Sequence, residues 1–220
     1  MTSVPGPDHT APSARRTLLL SLLIGAWLLL TLAGLWWFQQ QNVRPFVSIH
    51  DDPAFWQAPA TGQLLLPLLQ AFPPPASTQV TLLHFWNPDC LCNQISQRHF
   101  DGLIRAFEPQ ALRIIVVAPA TATDDQLARF RELNGRRMSV IRAPAELRIP
   151  ASPGLALFGP DMRMGYYGAY GFGALCTVAN DDFFPNIVRT LRHDSYGPFV
   201  NVAGNGCFCA WPTGANTSAQ

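Results

Sequence analysis

Lysine is absent from this chain: all fifteen basic residues are arginine. The net charge is only +1 and no basic run occurs, so nucleic-acid binding lacks its electrostatic footprint. No histidine lies within the C-terminal cysteine motif Cys207-Phe208-Cys209, which removes one route to a zinc site. No clean A-x-A cleavage site follows the N-terminal apolar run, which argues against a cleaved signal peptide.

That apolar run is the longest feature present. Thr17 to Phe38 carries no charge over 22 residues. As a helix it would measure ~33 Å, enough for a bilayer core of ~30 Å. Arg15 and Arg16 precede it, and the next basic residue is Arg44. The positive-inside rule therefore predicts a single-pass protein with its short N-terminus cytoplasmic and the rest outside. The remaining residues, about 180, suffice for one well-buried core.

Five cysteines outside the cytoplasm make an odd count, so at least one is free, intermolecular or functional. Two of them occur in Asp89-Cys90-Leu91-Cys92, directly after the apolar run Val80 to Trp86 and at the start of a segment with helical spacing. The first turn of a helix presents unpaired N–H groups and the positive end of the dipole, which favour a thiolate, the reactive form. Asp89 suits the N-cap position, though its charge would oppose thiolate formation at Cys90.

The rest of the pattern alternates. A linker spans 39–60 and a short apolar helix Thr61–Phe72, which Pro73-Pro74-Pro75 ends. Strands are expected at Gln79–Trp86, Ala111–Ala118, Met138–Ile141 and Gly154–Phe158, the last turning through Gly159-Pro160-Asp161 into Arg163–Tyr167. Helices are expected at Leu91–Phe107, Asp124–Asn134 and Asp182–Arg192. This order predicts an α/β fold with a mixed sheet flanked by helices. The organisation is then a cytoplasmic tail 1–16, an anchor 17–38, a linker with its short helix 39–78, a domain 79–195 and a C-terminal extension 196–220.

His84-Phe85-Trp86-Asn87-Pro88-Asp89-Cys90-Leu91-Cys92, ending a strand and opening a helix, resembles the active-site segment of thioredoxin-like proteins. Ile149 to Phe158 resembles the loop in which a cis-proline faces the cysteines, and Pro153 would be that proline. With its anchor the chain resembles the membrane-tethered periplasmic thioredoxins of Gram-negative bacteria, with C-x-C in place of C-x-x-C. The resemblance implies an anchor in the bacterial inner membrane and a periplasmic soluble domain. It implies a thiol–disulfide oxidoreductase acting on periplasmic protein thiols or disulfides, supplied by another thiol protein and needing no cofactor. It also implies that Trp86, Ser152 and Pro153 shape the substrate face.

Cys90, read as the more exposed thiol, would attack a substrate disulfide and Cys92 would resolve it, leaving a Cys90–Cys92 bond. His84 stands where many thioredoxins carry a buried acid and could relay protons near neutral pH; a core histidine satisfied by hydrogen bonds is the competing reading. His99, seven residues beyond Cys92, is expected to be solvated or capped.

The second pair, Cys207 and Cys209, leaves three readings open. One of them bonds Cys176; or the pair exchanges electrons with Cys90 and Cys92; or Cys90, Cys92, Cys207 and Cys209 together bind a soft metal such as copper or zinc. A non-catalytic scaffold with structural cysteines is the last alternative. Asn216-Thr217-Ser218 matches a glycosylation sequon, irrelevant in a bacterial protein.

Overall fold

A computed structural model describes residues 14–135, 137–173 and 182–212. Cys176, the 216–218 sequon and most of the N-terminal tail lie outside the described residues. The chain divides into two units, Met1–Gln41 and Asn42–Gln220, each considered by itself.

The first unit is helix α1, Ala14–Asn42. Its stretch Ala14–Phe38, in which an 18-residue window has a mean hydropathy of 2.4, is long and apolar enough to cross a membrane. Its leucines and tryptophans are exposed, as a lipid-facing surface requires.

The second unit opens with β1 (Val43–Pro45), a 3-10 turn (Pro53–Trp56) and α2 (Ala58–Gln70). It continues through β2 (Val80–Phe85), α3 (Cys92–Ala106), β3 (Leu112–Ala118), α4 (Asp124–Asn134) and β4 (Ser139–Arg142). It closes with β5 (Ala151–Ser152), β6 (Gly154–Phe158), β7 (Met164–Ala169), α5 (Phe183–Leu191), β8 (Phe199–Asn201), β9 (Asn205–Cys207) and β10 (Cys209–Ala210). Among the described residues the main sheet runs β4-β3-β2-β6-β7-β8. β2 pairs parallel with β3 and antiparallel with β6. This is the mixed, helix-flanked sheet that the alternation predicts.

Why β2 is central is legible in its residues. Val-Thr-Leu-Leu-His-Phe is buried throughout, as a strand covered on both faces must be. Leu82 and His84 face the layer of α3, α4 and α5, where Phe100, Leu127 and Val188 pack. Leu83 and Phe85 face the other layer, with Leu65 and Leu69 of α2. Local signals hold the helix ends: Thr123 and Gln126 form a reciprocal capping box on α4, and Gly135 ends it at φ 78°, a left-handed value that suits glycine.

Two segments differ from the expected organisation. The 39–78 region is not a detached linker, because Phe46 and Phe55 are fully buried against Tyr167, and β1 is paired in the fold. The C-terminal stretch is likewise integral. β8 adds a parallel edge to β7, and Phe208 and Trp211 enter the α2-side core. At Gly204 a Cβ would sit 2.4 Å from the Phe172 ring, so only glycine lets the chain pass there.

Candidate functional site

β2 ends at Phe85 and the chain turns sharply before α3. Asn87 organises this turn: its Oδ1 accepts from the Asp89 N–H at 3.1 Å and its carbonyl accepts from the Cys90 N–H at 3.0 Å. Asn93 Nδ2 also donates to the Asn87 carbonyl. The turn leaves Cys90 outside the helix, while Cys92 is the first residue of α3. Asp89 is not the N-cap. That position falls to Leu91, whose side chain cannot cap, and Asp89 Oδ1 instead accepts from Gln126 Nε2 at 3.2 Å.

The C-terminal strands bring the second cysteine pair onto this turn. β1 pairs antiparallel with β9, Val43 opposite Cys207. β10 pairs antiparallel with β5, Cys209 opposite Ser152. Asn87 Nδ2 donates to the Ala210 carbonyl at 3.4 Å, tying β10 to the active turn. Residues two apart on an extended chain point the same way. Cys207 and Cys209 therefore both present sulfur to the helix start, around the intervening Phe208.

The sulfurs are joined crosswise: Cys90 to Cys209 and Cys92 to Cys207, with Cα separations of 5.8 and 5.5 Å. This corrects the expected Cys90–Cys92 bond. Cys90 lies before α3 and Cys92 opens it, and each meets a strand cysteine within normal bridging distance. Cys207 and Cys209 are thereby engaged without Cys176. Cys90, expected to be the more exposed thiol, is 4% exposed, because β10 covers it.

Even so, the Sγ atoms of Cys90, Cys92 and Cys209 all lie within 4.8 Å of one another. Three thiolates at such distances could hold a soft metal ion, and a bonded pair beside a third sulfur can exchange partners. The other landmark is in place: the Ser152–Pro153 peptide is cis, and the Ser152 carbonyl lies 3.6 Å from Cys90 Sγ.

The remaining expected residues sit further from the sulfurs' chemistry. His84 shares a 2.7 Å hydrogen bond with Tyr170 Oη and stacks on Phe100, ring centroids 4.1 Å apart. Burial pushes its pKa down to about 3, so the imidazole is neutral at physiological pH and does not titrate there. A core histidine satisfied by a hydrogen bond describes it. Trp86 packs on Phe130 in the core layer. His99 is buried rather than solvated, with Arg98 Nε donating to its Nε2 at 3.2 Å. A cleft of about 620 Å³ lined by Gly62, Asp161, Arg163 and Arg192 contains none of the cysteines.

Residues 62–211 match the family model described as Domain of unknown function (DUF6436). The chain belongs to this family. No curated protein matches its sequence. Among solved structures it is similar to a hypothetical protein from Sinorhizobium meliloti 1021, at 12% identity and a TM-score of 0.51, covering 64% of this chain and 82% of that one. It is also similar to a secreted disulfide oxidoreductase of Mycobacterium tuberculosis, at 15% identity and a TM-score of 0.39, covering 51% and 82%. A third is the dsbF protein of the same organism, at 13% identity and a TM-score of 0.36, covering 52% and 81%.

Sequence reasoning missed Asn87 as the residue that clamps turn and strand, and Tyr170 as the partner of His84. The Asn-Pro-Asp run before Cys90 was the available signal for the first, since Asn side chains fold back onto nearby backbone. Nothing local marked Tyr170, which is 86 residues from His84.

Proposed function

We propose that this protein is a membrane-anchored thiol–disulfide oxidoreductase acting on protein thiols outside the cytoplasm, with Cys90, Cys92, Cys207 and Cys209 as its redox centre. The observation that carries this reading is the pair of crossed disulfides at the start of α3, with the sulfurs of Cys90, Cys92 and Cys209 within 4.8 Å of one another. Exchange proceeds by attack of a thiolate on a disulfide sulfur, so a thiolate freed when one bond is opened by an external thiol can attack the neighbouring bond. The cis Ser152–Pro153 peptide beside them supports the reading.

The apolar stretch Ala14–Phe38, with Arg15 and Arg16 on its N-terminal side, supports an inner-membrane anchor and a periplasmic domain. Disulfides persist in that compartment.

The test uses the full chain in detergent. Dithiothreitol should reduce both disulfides while the fold persists by circular dichroism, and a protein disulfide should reoxidise them. Cys90→Ser, which frees the partly exposed Cys209, should accumulate covalent adducts with cellular proteins that dithiothreitol releases, and Cys90→Ser/Cys209→Ser should not. If the disulfides yield only on unfolding, they are structural and the protein is a scaffold.

The sulfur cluster also favours a second reading, soft-metal binding by the reduced protein. Stoichiometric zinc or copper in the reduced protein, abolished by alkylation, would support it.

A further inference from the structure

β10 is short, two residues long, and lies antiparallel against the equally short β5, at the residue that precedes the cis-proline. It occupies that edge as a guest strand would, its backbone paired through Cys209 and Ala210 and its sulfur bonded to Cys90. The chain thus holds one of its own segments in the place where an extended thiol-bearing peptide would fit. Accessibility distinguishes the four sulfurs. Cys90, Cys92 and Cys207 are 4%, 2% and 2% exposed, whereas Cys209 is partly exposed. Leu91, 59% exposed between two buried cysteines, adds an apolar contact beside it.

We propose that the C-terminal strand is a tethered shuttle: Cys209 is the port at which an external protein dithiol reacts, and Cys90 passes the exchange inward to the Cys92–Cys207 bond. This rests on the oxidoreductase reading above and specifies its route. In the first step a partner thiolate attacks Cys209 Sγ, forming a partner–Cys209 disulfide, breaking Cys90–Cys209 and releasing the Cys90 thiolate. That thiolate is within 4.8 Å of Cys92 Sγ and attacks it. The Cys90–Cys92 bond forms, Cys92–Cys207 breaks and Cys207 leaves as a thiolate. The partner's second thiolate then attacks its own sulfur in the mixed disulfide, closing the partner disulfide and releasing Cys209.

The partner dithiol has lost two electrons and its two protons. The protein has gained the electrons as Cys207 and Cys209 thiols and keeps one disulfide, now between Cys90 and Cys92. The bond expected from the C-x-C motif is in this scheme the half-reduced state, and the crossed pair is the fully oxidised one.

One equivalent of dithiothreitol added to the oxidised full-length protein in detergent, followed by N-ethylmaleimide and peptide mapping, tests the route. Labels on Cys207 and Cys209 with a Cys90–Cys92 link are expected. Labels on Cys90 and Cys209 with Cys92–Cys207 intact overturn the relay, and labels on Cys92 and Cys207 with Cys90–Cys209 intact overturn the port. Protein that passes straight to four labelled thiols also overturns it. Resistance of both disulfides in the folded protein instead removes the oxidoreductase reading itself. Cys207→Ser gives an independent readout, because it leaves the Cys92 thiol beside Cys90–Cys209. Molecules linked Cys90–Cys92 with Cys209 open to label are expected; complete retention of Cys90–Cys209 counts against the relay.

Discussion

His84 illustrates how a single side chain can look catalytic in a motif and be structural in the fold. Its neutral ring is held by Tyr170 Oη and by Phe100, and burial makes the charged form costly. An unfolded chain protonates this histidine near its ordinary value of 6.5, whereas the folded chain resists until about pH 3. Between those values the unfolded state binds more protons. The contribution is therefore complete above pH 6.5 and is lost on acidification, by up to about 1.4 kcal/mol per pH unit. Urea midpoints should fall from pH 7 to pH 5 by more in the native protein than in His84→Gln; equal falls would assign the acid sensitivity to other groups. Tyr170→Phe strands the buried Nδ1 and should cost about 1–3 kcal/mol in the same assay. His84 shares its motif with Cys90 and Cys92, yet the residues that define its environment come from β2's far neighbours. A short motif therefore identified the cysteines as chemically important and left the role of the histidine open.

At the scale of elements, the strands differ in what holds them. β2 and β3 are fully paired and lie in the core, with six registered residue pairs between them. β10 has two pairs to β5, one side-chain hydrogen bond from Asn87 and one disulfide. Segments with few backbone bonds and little buried area open at low free energy. Reduction of both disulfides should therefore speed amide exchange across 205–210 while β2 and β3 stay protected, measured by hydrogen–deuterium exchange. Unchanged exchange in 205–210 would mean that the strand remains docked without its covalent ties. The long periodic elements were legible because their signals are local: α4 and β6 occur where spacing and punctuation predict them. β1, β5, β9 and β10 were not. Strands of two or three residues carry no measurable periodicity, and each exists through a partner distant in the chain.

For the molecule as a whole, the crossed disulfides close the chain at separations of 119 and 115 residues. In the chain-entropy view a first closure of that length is worth about 5 kcal/mol. The second, with the first in place, closes a ring of only about six residues and adds roughly 2 kcal/mol. A state with either long bond still closed keeps most of the covalent stabilisation, whereas the Cys90–Cys92 state of the relay keeps neither long closure. Cys92→Ser/Cys207→Ser should lose roughly 2 kcal/mol against the oxidised native protein, and full reduction roughly 7 kcal/mol, in urea titrations. A loss in the double variant of about half the full-reduction value would show that the two bonds act independently.

The amino-acid order alone determined an apolar helix long enough for a bilayer, an α/β alternation and a C-x-C turn before α3. These follow from composition and spacing within a few turns of chain, where steric and hydrophobic preferences act directly. Only the tertiary structure decided which sulfurs are bonded, that residues 43–78 and 196–212 belong to the folded second unit, and that His84 stays neutral. Each of those depends on contacts between residues far apart in sequence. The partner of a thiol is chosen by which backbone reaches it, and the C-terminal strand carries Cys209 to within bridging distance of Cys90.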